Sequence, residues 1–497
     1  MPVKPKDAAA IILLKDYTNP RVYWIKRSQK LAFMGGFHAF PGGQLDADDF
    51  SVSVAGCDKP EESAMRACAV RELFEETGVL LASGAEPVSN ERLKGHRIEL
   101  ARDEKTFSAM LKEESLQITA AGMEPAGRWV TPPFAPRRFD TWFFIAWLPD
   151  GQDPVIEKGE LETGEWVRPA DAVARWKRGE VIMAPPTLHA LRTLADYSDK
   201  IGNAATAMKA LPEANRGLVR RIEFGPGIFF FPVRTPTLPP ATHTNCYIIG
   251  GEELVVIEPA SPYEDEQREL DDFIDQLIGE GRKVREVILT HHHIDHVGGV
   301  NHLRNRLGVP VAAHRITAER LSDSVQVDRF IEDGDVIELA GDPGWRLRAL
   351  HTPGHTRGHL CFYEENSAAV ITGDLIVGVG TVVIDPPEGN MRQYFDSLRL
   401  LLKLPRLGTL FGAHGPVIAP AREKIQEYID HRTARETKIH DAVKSGATSL
   451  DAIVAFAYTD VSPSLHGLAR RSALAHLEKL EEERAVISLP QGYVAAT

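Results

Sequence analysis

The sequence predicts an α/β protein of several domains that ends in a small, mainly helical module. Three observations carry that expectation. The chain has 497 residues, and at about 150 residues per domain this is room for about three domains. Apolar strand-like runs alternate with helix-like segments through most of the sequence. From about residue 421 the pattern turns helical and closes on two short apolar runs around Pro490-Gln491-Gly492.

The elements follow in order. AAAIILL and RVYWIKR read as strands separated by the turn signal DYTNP. A helix is expected around Ala64 to Thr77, ended by Gly78. TWFFIAWLP reads as a further strand, and Pro185-Pro186 precede a helix from about Thr187. FGPGIFFFPVRTPTLPPATHTN is rich in proline and aromatics and has no helical period, so a boundary is expected within about residues 205–240, with the linker near 203–218. YIIGGEELVVIEP reads as a hairpin turning at Gly250-Gly251. VREVILT is a strand and VNHLRNRLG a helix, while RLRALHTP, AAVITGD and TLFGAHGP each read as a buried strand ending in polar residues. LDAIVAFAY and LARRSALAHLEKLEEER carry apolar residues at three-to-four spacing, and AVISLPQGYVA gives two short strands. Helices followed by a small hairpin suggest a winged-helix-like module. The expected domains are 1–205, 215–420 and 421–497.

Composition narrows the function. The chain is 43% hydrophobic and 26% charged, which excludes a collagen-like, disulfide-scaffold or wholly disordered protein. Its net charge of −13 makes it no default nucleic-acid binder, because phosphate backbones need local positive charge. Cys57, Cys68, Cys246 and Cys361 are far apart and form no CxxC pair, which fits a reducing compartment. The early apolar run from Ala8 to Leu14 is too short to span a bilayer and lacks a cleavage pattern. A cytoplasmic protein without a membrane partner is expected.

The first chemistry lies in Arg71-Glu72-Leu73-Phe74-Glu75-Glu76-Thr77-Gly78-Val79. Glu72, Glu75 and Glu76 stand at i, i+3 and i+4 and share one helix face. Clustered carboxylates repel unless a hard cation neutralises them, and Mg²⁺ suits such oxygen ligands together with substrate phosphates. An isolated string of this kind is more often a solvated helix face. Phe40-Pro41-Gly42-Gly43 upstream, whose glycines allow a close backbone approach, favours a site.

These residues resemble the Nudix hydrolase family, whose box reads G-x5-E-x7-R-E-U-x-E-E-x-G-U with U aliphatic. Its second half matches from Arg71 to Val79. Its first half departs: six residues after Gly43 stands Asp49, and eight before Arg71 stands Ser63, with Glu61 and Glu62 just ahead. The box is thus split by about fourteen residues, which leaves the outer metal ligand unassigned. RSQKLAFMGGFHAFPGG and TPPFAPRRFDTWFFIA are similar to the peroxisomal coenzyme A diphosphatase branch. The resemblance covers about residues 5–200 and implies an α/β/α sandwich. It implies that Arg71 orients the helix face and that Glu72, Glu75 and Glu76 are catalytic and hold Mg²⁺ or Mn²⁺. Arg137 and Arg138 would face substrate phosphates, with surface ion pairing as the alternative.

The second constellation is Thr290-His291-His292-His293-Ile294-Asp295-His296, directly after a predicted strand. In a tight loop His291 and His293 can face one metal while Asp295 and His296 turn to a second. His355 in TPGHT, Asp374 in ITGDL and His414 in GAHGP each follow a predicted buried strand, and such loops can converge at one end of a sheet. His189, His302 and His476 read as ordinary surface or core histidines, and His292, His351 and His359 as secondary candidates.

This pattern resembles the metallo-β-lactamase superfamily over about residues 220–420 and implies an αββα sandwich. By that resemblance His291, His293 and His355 would bind one metal, Asp295, His296 and His414 a second, and Asp374 would bridge them. Two Zn²⁺ suit these ligands, with iron, manganese or another divalent transition metal as alternatives. The commonest true lactamases carry cysteine where this chain has Asp374, which argues against β-lactam hydrolysis. A bound metal lowers the pKa of water from about 15.7 to about 7, so a metal-bound hydroxide would serve as nucleophile, with Asp295 available to orient it. GDLIVGVGTVVIDPPEGNMRQYFDSL and IQEYIDHRTARETKIHDAV are similar to the branch containing the mitochondrial lactamase-like endoribonuclease, which also carries a winged-helix-like end. There Arg432, Arg435, Lys438, Arg470 and Arg471 offer a basic face, although Glu423, Glu436 and Glu478 nearly balance it.

The expectation is a two-headed metal-dependent hydrolase. One head would cut a nucleoside-diphosphate linkage, coenzyme A being the candidate, and the other a thioester, ester or phosphodiester. The alternatives are an endoribonuclease with an accessory Nudix domain, which would make RNA a partner, and a di-metal hydrolase tuned by a non-catalytic nucleotide sensor. Small-molecule nucleotides or thioesters are the expected partners; the sequence leaves the oligomeric state open.

Overall fold

The computed structural model describes residues 4–29, 31, 34–84, 88–131, 137–157, 159–201, 222–462 and 465–496. The chain forms two compact units, 1–220 and 221–497. The expected linker at 203–218 lies outside the described residues.

In the first unit, strand Lys6–Lys15 is the spine of a seven-stranded mixed sheet. It pairs antiparallel with Arg21–Arg27 and parallel with Phe139–Trp147, in register from Lys6 opposite Phe139 to Leu14 opposite Trp147. Ala9, Ile11 and Leu13 point into one core together with helix Pro60–Thr77, while Ala10, Ile12 and Leu14 point into another with helices Pro169–Lys177 and Pro185–Ile201. Both faces are covered, so this strand is an unbroken apolar run rather than an alternating one. The result is an α/β/α sandwich. Helix Pro60–Thr77 starts four residues ahead of the expected Ala64, with Pro60 in its first turn, and Gly78 at φ 76° ends it as expected. The later helix likewise includes Pro185 and Pro186 rather than following them.

The second unit holds a seven-stranded and a five-stranded sheet. Strands Ile222–Gly225 and Ile228–Arg234 open the first, so much of the proline-aromatic stretch expected to be a boundary is sheet. Phe229 and Phe231 pack on helix Glu264–Gly279, and Phe230 turns the other way against Tyr247. Tyr247 meets Phe411 of the second sheet edge-on at 5.7 Å, and its hydroxyl donates to Gly412 O (2.7 Å). The sheets therefore pack face to face, with helices such as Val300–Leu307 and Met391–Leu402 outside.

Helix Ala421–Lys444 begins the C-terminal module yet belongs to two cores. Ala421, Ile425 and Tyr428 enter the core below the second sheet, while Ile439, Ala442 and Val443 enter one with helices Leu450–Ala457 and His466–Glu482. Strands Val486–Leu489 and Gly492–Ala495 form the closing hairpin. The four cysteines are free, and among the described residues no helix is long and apolar enough to cross a membrane.

Candidate metal centres

In the first unit the glutamates lie where the Phe-Pro-Gly-Gly turn presses on the long helix. Gly42 N–H donates to Glu76 Oε2 (2.9 Å). A Cβ on Gly43 would stand 2.4 Å from the Glu72 carboxyl carbon, so only glycine permits this approach. Burial pushes the Glu72 carboxyl up to about 7 and that of Glu76 up to about 8, and raises Glu75 as well. Three partly buried carboxylates at close quarters favour either protons or a cation, and a divalent ion fits this donor set.

Two arginines brace the face. Arg71 donates through Nε and Nη2 to both oxygens of the fully buried Asp49 (2.9 and 3.0 Å), and through Nη1 to Glu72 (2.9 Å) and Glu75 (3.2 Å). Asp49, the residue at the departing box position, is thus occupied in holding Arg71. Arg97, which the sequence reading missed, donates to the carbonyls of Glu75 (2.7 Å), Glu76 (2.7 Å) and Val155 (2.8 Å). Its cation therefore caps the C-terminal end of the glutamate helix. Glu62 pairs with Arg66 (3.0 Å). Arg137 is exposed, and Arg138 Nε donates to Thr131 O (2.9 Å) at the entry to strand Phe139–Trp147.

In the second unit the candidates converge from the C-terminal ends of several strands. The loop His291–His296 follows strand Lys283–Ile288, His355 follows Trp345–His351, Asp374 follows Ala369–Gly373, and His414 follows Leu410–Gly412. His293 Nδ1 lies 3.0 Å from His291 Nε2 and 2.9 Å from His355 Nε2. Asp295, His296 and His414 form a second triad, with Asp295 oxygens 3.7 Å from His296 Nε2 and 3.6 Å from His414 Nε2. Asp374 joins the two: its Oδ2 is 3.6 Å from both His355 and His296 Nε2, and its Oδ1 is 3.4 Å from His414 Nε2.

The outward nitrogens are held from behind. His355 Nδ1 donates to Val383 O (2.9 Å) and His414 Nδ1 to His243 O (2.9 Å), leaving each Nε2 lone pair facing the cluster. His291 Nδ1 donates to Thr290 Oγ1 (2.9 Å), which in turn donates to Glu258. Glu258 Oε1 also lies 3.0 Å from His296 Nδ1. Glu258 is fully buried, takes a left-handed φ of 57°, and went unnoticed in the sequence. It follows the buried strand VVI as the other candidates follow theirs, but it carries no motif of its own.

Electrostatics favours cations here. His296 Nε2 and Asp374 Oδ1 are buried without a hydrogen-bond partner. Burial and the neighbouring imidazoles hold His291 well below its usual range, and burial takes His355 down to about 4, so both are neutral donors. At His296 burial acts downward, but Glu258, Asp374 and Asp295 outweigh it and raise the group. Those carboxylates and neutral imidazoles fit two divalent transition metals. Of the secondary histidines, His359 Nε2 accepts Asp374 N–H (3.1 Å), and His351 stacks on His314 at 4.4 Å. His302 pairs with Asp271 (2.8 Å) and His476 with Glu436 (3.0 Å), as structural histidines do.

The arginines weighed for a basic face in the last module are held in other contacts. Arg432 and Arg435 are buried, Arg470 pairs with Asp451, and Arg471 donates to Asp385 (3.1 Å).

A glutamate-lined helix in one unit and a histidine-carboxylate cluster in the other define a hydrolase built from two metal-dependent folds. Residues 239–414 match the metallo-beta-lactamase superfamily, 54–194 the NUDT19 Nudix domain, and 449–492 the beta-lactamase associated winged helix domain. The chain is 30% identical over 254 residues to lactamase-like protein aptB of Emericella nidulans, covering 49% of this chain and 77% of that protein. It is 29% identical over 215 residues to the beta-lactamase-like protein 2 homolog of Caenorhabditis elegans, covering 42% of this chain and 68% of that protein. It is 32% identical over 200 residues to the atrochrysone carboxyl ACP thioesterase of Aspergillus fumigatus, covering 39% of this chain and 58% of that protein. The chain belongs to the metallo-beta-lactamase superfamily and carries a Nudix domain ahead of that fold.

Proposed function

We propose that the protein is a two-headed hydrolase of acyl-coenzyme A type substrates, its second unit cutting the thioester and its first the diphosphate. The observation that carries the di-metal reading is Asp374, whose carboxylate reaches His355 on one side and His296 and His414 on the other within 3.6 Å. Two divalent ions, when bound, would supply Lewis acidity and an activated water. His291, His293 and His355 would hold one, and Asp295, His296 and His414 the other. Val383 O, His243 O and Glu258 fix the imidazole orientations, and Asp295 would orient the water. The thioester assignment draws support from the relative named as an ACP thioesterase.

In the first unit Glu72, Glu75 and Glu76 would hold Mg²⁺ or Mn²⁺ against a diphosphate, with Arg71 fixing their face and Arg137 and Arg138 meeting phosphate. The endoribonuclease reading loses support because Arg432 and Arg435 are turned inward. Mass spectrometry of acetyl-coenzyme A incubated with the protein, Mg²⁺ and Zn²⁺ tests the proposal. Adenosine 3′,5′-bisphosphate with acyl-phosphopantetheine is the product expected from the Nudix unit, and free coenzyme A with acetate from the di-metal unit. Unchanged acetyl-coenzyme A would defeat the shared-substrate reading for this ester.

A further inference from the structure

Helix Ala421–Lys444 sends a buried arginine to the back of the proposed metal centre. Arg432 donates to Val382 O, and its guanidinium lies 5.4 Å from the Tyr394 ring centre. The next residue, Val383, supplies the carbonyl that fixes His355 Nδ1 (2.9 Å). The other end of the same loop is tied to the same elements. Tyr394 hydroxyl donates to Leu375 O (2.8 Å), one residue past Asp374, and Tyr428 hydroxyl donates to Val377 O (2.9 Å). Arg471 of helix His466–Glu482 adds an exposed tie to Asp385 (3.1 Å).

The energetics single out Arg432. Among the described residues no ion pair forms at it, whereas Arg435, one turn on, takes both oxygens of Asp460 (2.8 and 2.9 Å). A buried cation without a carboxylate costs stability, and an apolar side chain of similar volume would sit there at less cost. Besides its contact with Tyr394, Arg432 supplies a donor aimed at the Val382 carbonyl.

We infer that Arg432 is a positioning residue of the di-metal centre: through Val382 and Val383 it sets His355, so the C-terminal module completes the hydrolytic site. This rests on the metal-centre reading above. The loop from Asp374 to Asp385 carries the Asp374 carboxylate at one end and the His355 acceptor near the other. Partners that orient ligands from behind tune metal affinity by about 10–100-fold.

The test measures zinc affinity on the full chain by competition with a chromophoric chelator, alongside thermal melting. Arg432→Met is expected to melt within a few degrees of the unaltered protein while binding zinc about tenfold more weakly. Arg432→Lys, which keeps a donor, should recover most of that loss. Arg435→Met should lower the melting temperature and leave zinc affinity unchanged. Unchanged zinc affinity in Arg432→Met, or an equal loss in Arg435→Met, would overturn the inference. If the unaltered protein takes up no zinc, manganese or iron, the metal-centre reading falls first and the inference with it.

Discussion

The two candidate centres are built in opposite ways. The Nudix glutamates sit within five residues of one helix, so the helical repeat sets their spacing, and the glycine turn, Arg71 and Arg97 brace them from close by. The histidine centre draws its groups from positions 291 to 414, across strand ends of two sheets. Such a centre exists only when the whole fold is assembled, and His291, His355 and His414 each have an acceptor behind them. A local site is therefore robust to distant change, whereas a convergent site is sensitive to residues that never touch it.

The largest effect is expected at Asp374. Asp374→Asn should lower bound transition metal from two ions toward one per chain. It should slow the di-metal reaction by about 10³-fold, the equivalent of about 4 kcal/mol of transition-state stabilisation. Metal analysis and kinetics would check this, with the diphosphate reaction unaffected. Next comes Glu76→Gln, expected to slow diphosphate cleavage by about 10²-fold while sparing thioester cleavage.

A sharper contrast lies in the supporting residues. Glu258→Gln should weaken metal binding by about tenfold, because it leaves His296 and Thr290 without their carboxylate. The smallest effect belongs to Asp460, whose carboxyl Arg435 holds down at about 2. Its folded value is below the unfolded one of about 3.9, so its stabilisation is present above that pH and fades as pH falls toward 2. Asp460 is half exposed, so water screens the pair to under about 1 kcal/mol, and Asp460→Asn should shift the acid-unfolding midpoint only slightly.

What was legible in the sequence follows the same division. Glu72, Glu75 and Glu76 announce themselves by spacing, and the histidines by position after buried strands. Asp49 reads as a broken box because its partnership with Arg71 is made across a loop and a helix. Glu258 escaped notice because one acidic residue after a strand has no pattern of its own. Arg432 and Arg435 read as surface charge because a helix that serves two cores has no single polar face. The boundary expected at 421 falls at the start of a helix whose two halves enter different cores. The aromatic stretch near 228 reads as part of a boundary because its proline-rich flanks mask a strand buried on both faces.

Product analysis of acetyl-coenzyme A with three proteins, the unaltered chain, Glu76→Gln and His293→Ala, tests most directly whether the two heads act independently. Two independent heads predict that the first makes both product sets. Glu76→Gln should lose adenosine 3′,5′-bisphosphate alone, and His293→Ala should lose free coenzyme A alone. Loss of both product sets in either variant, or of neither, would contradict the account.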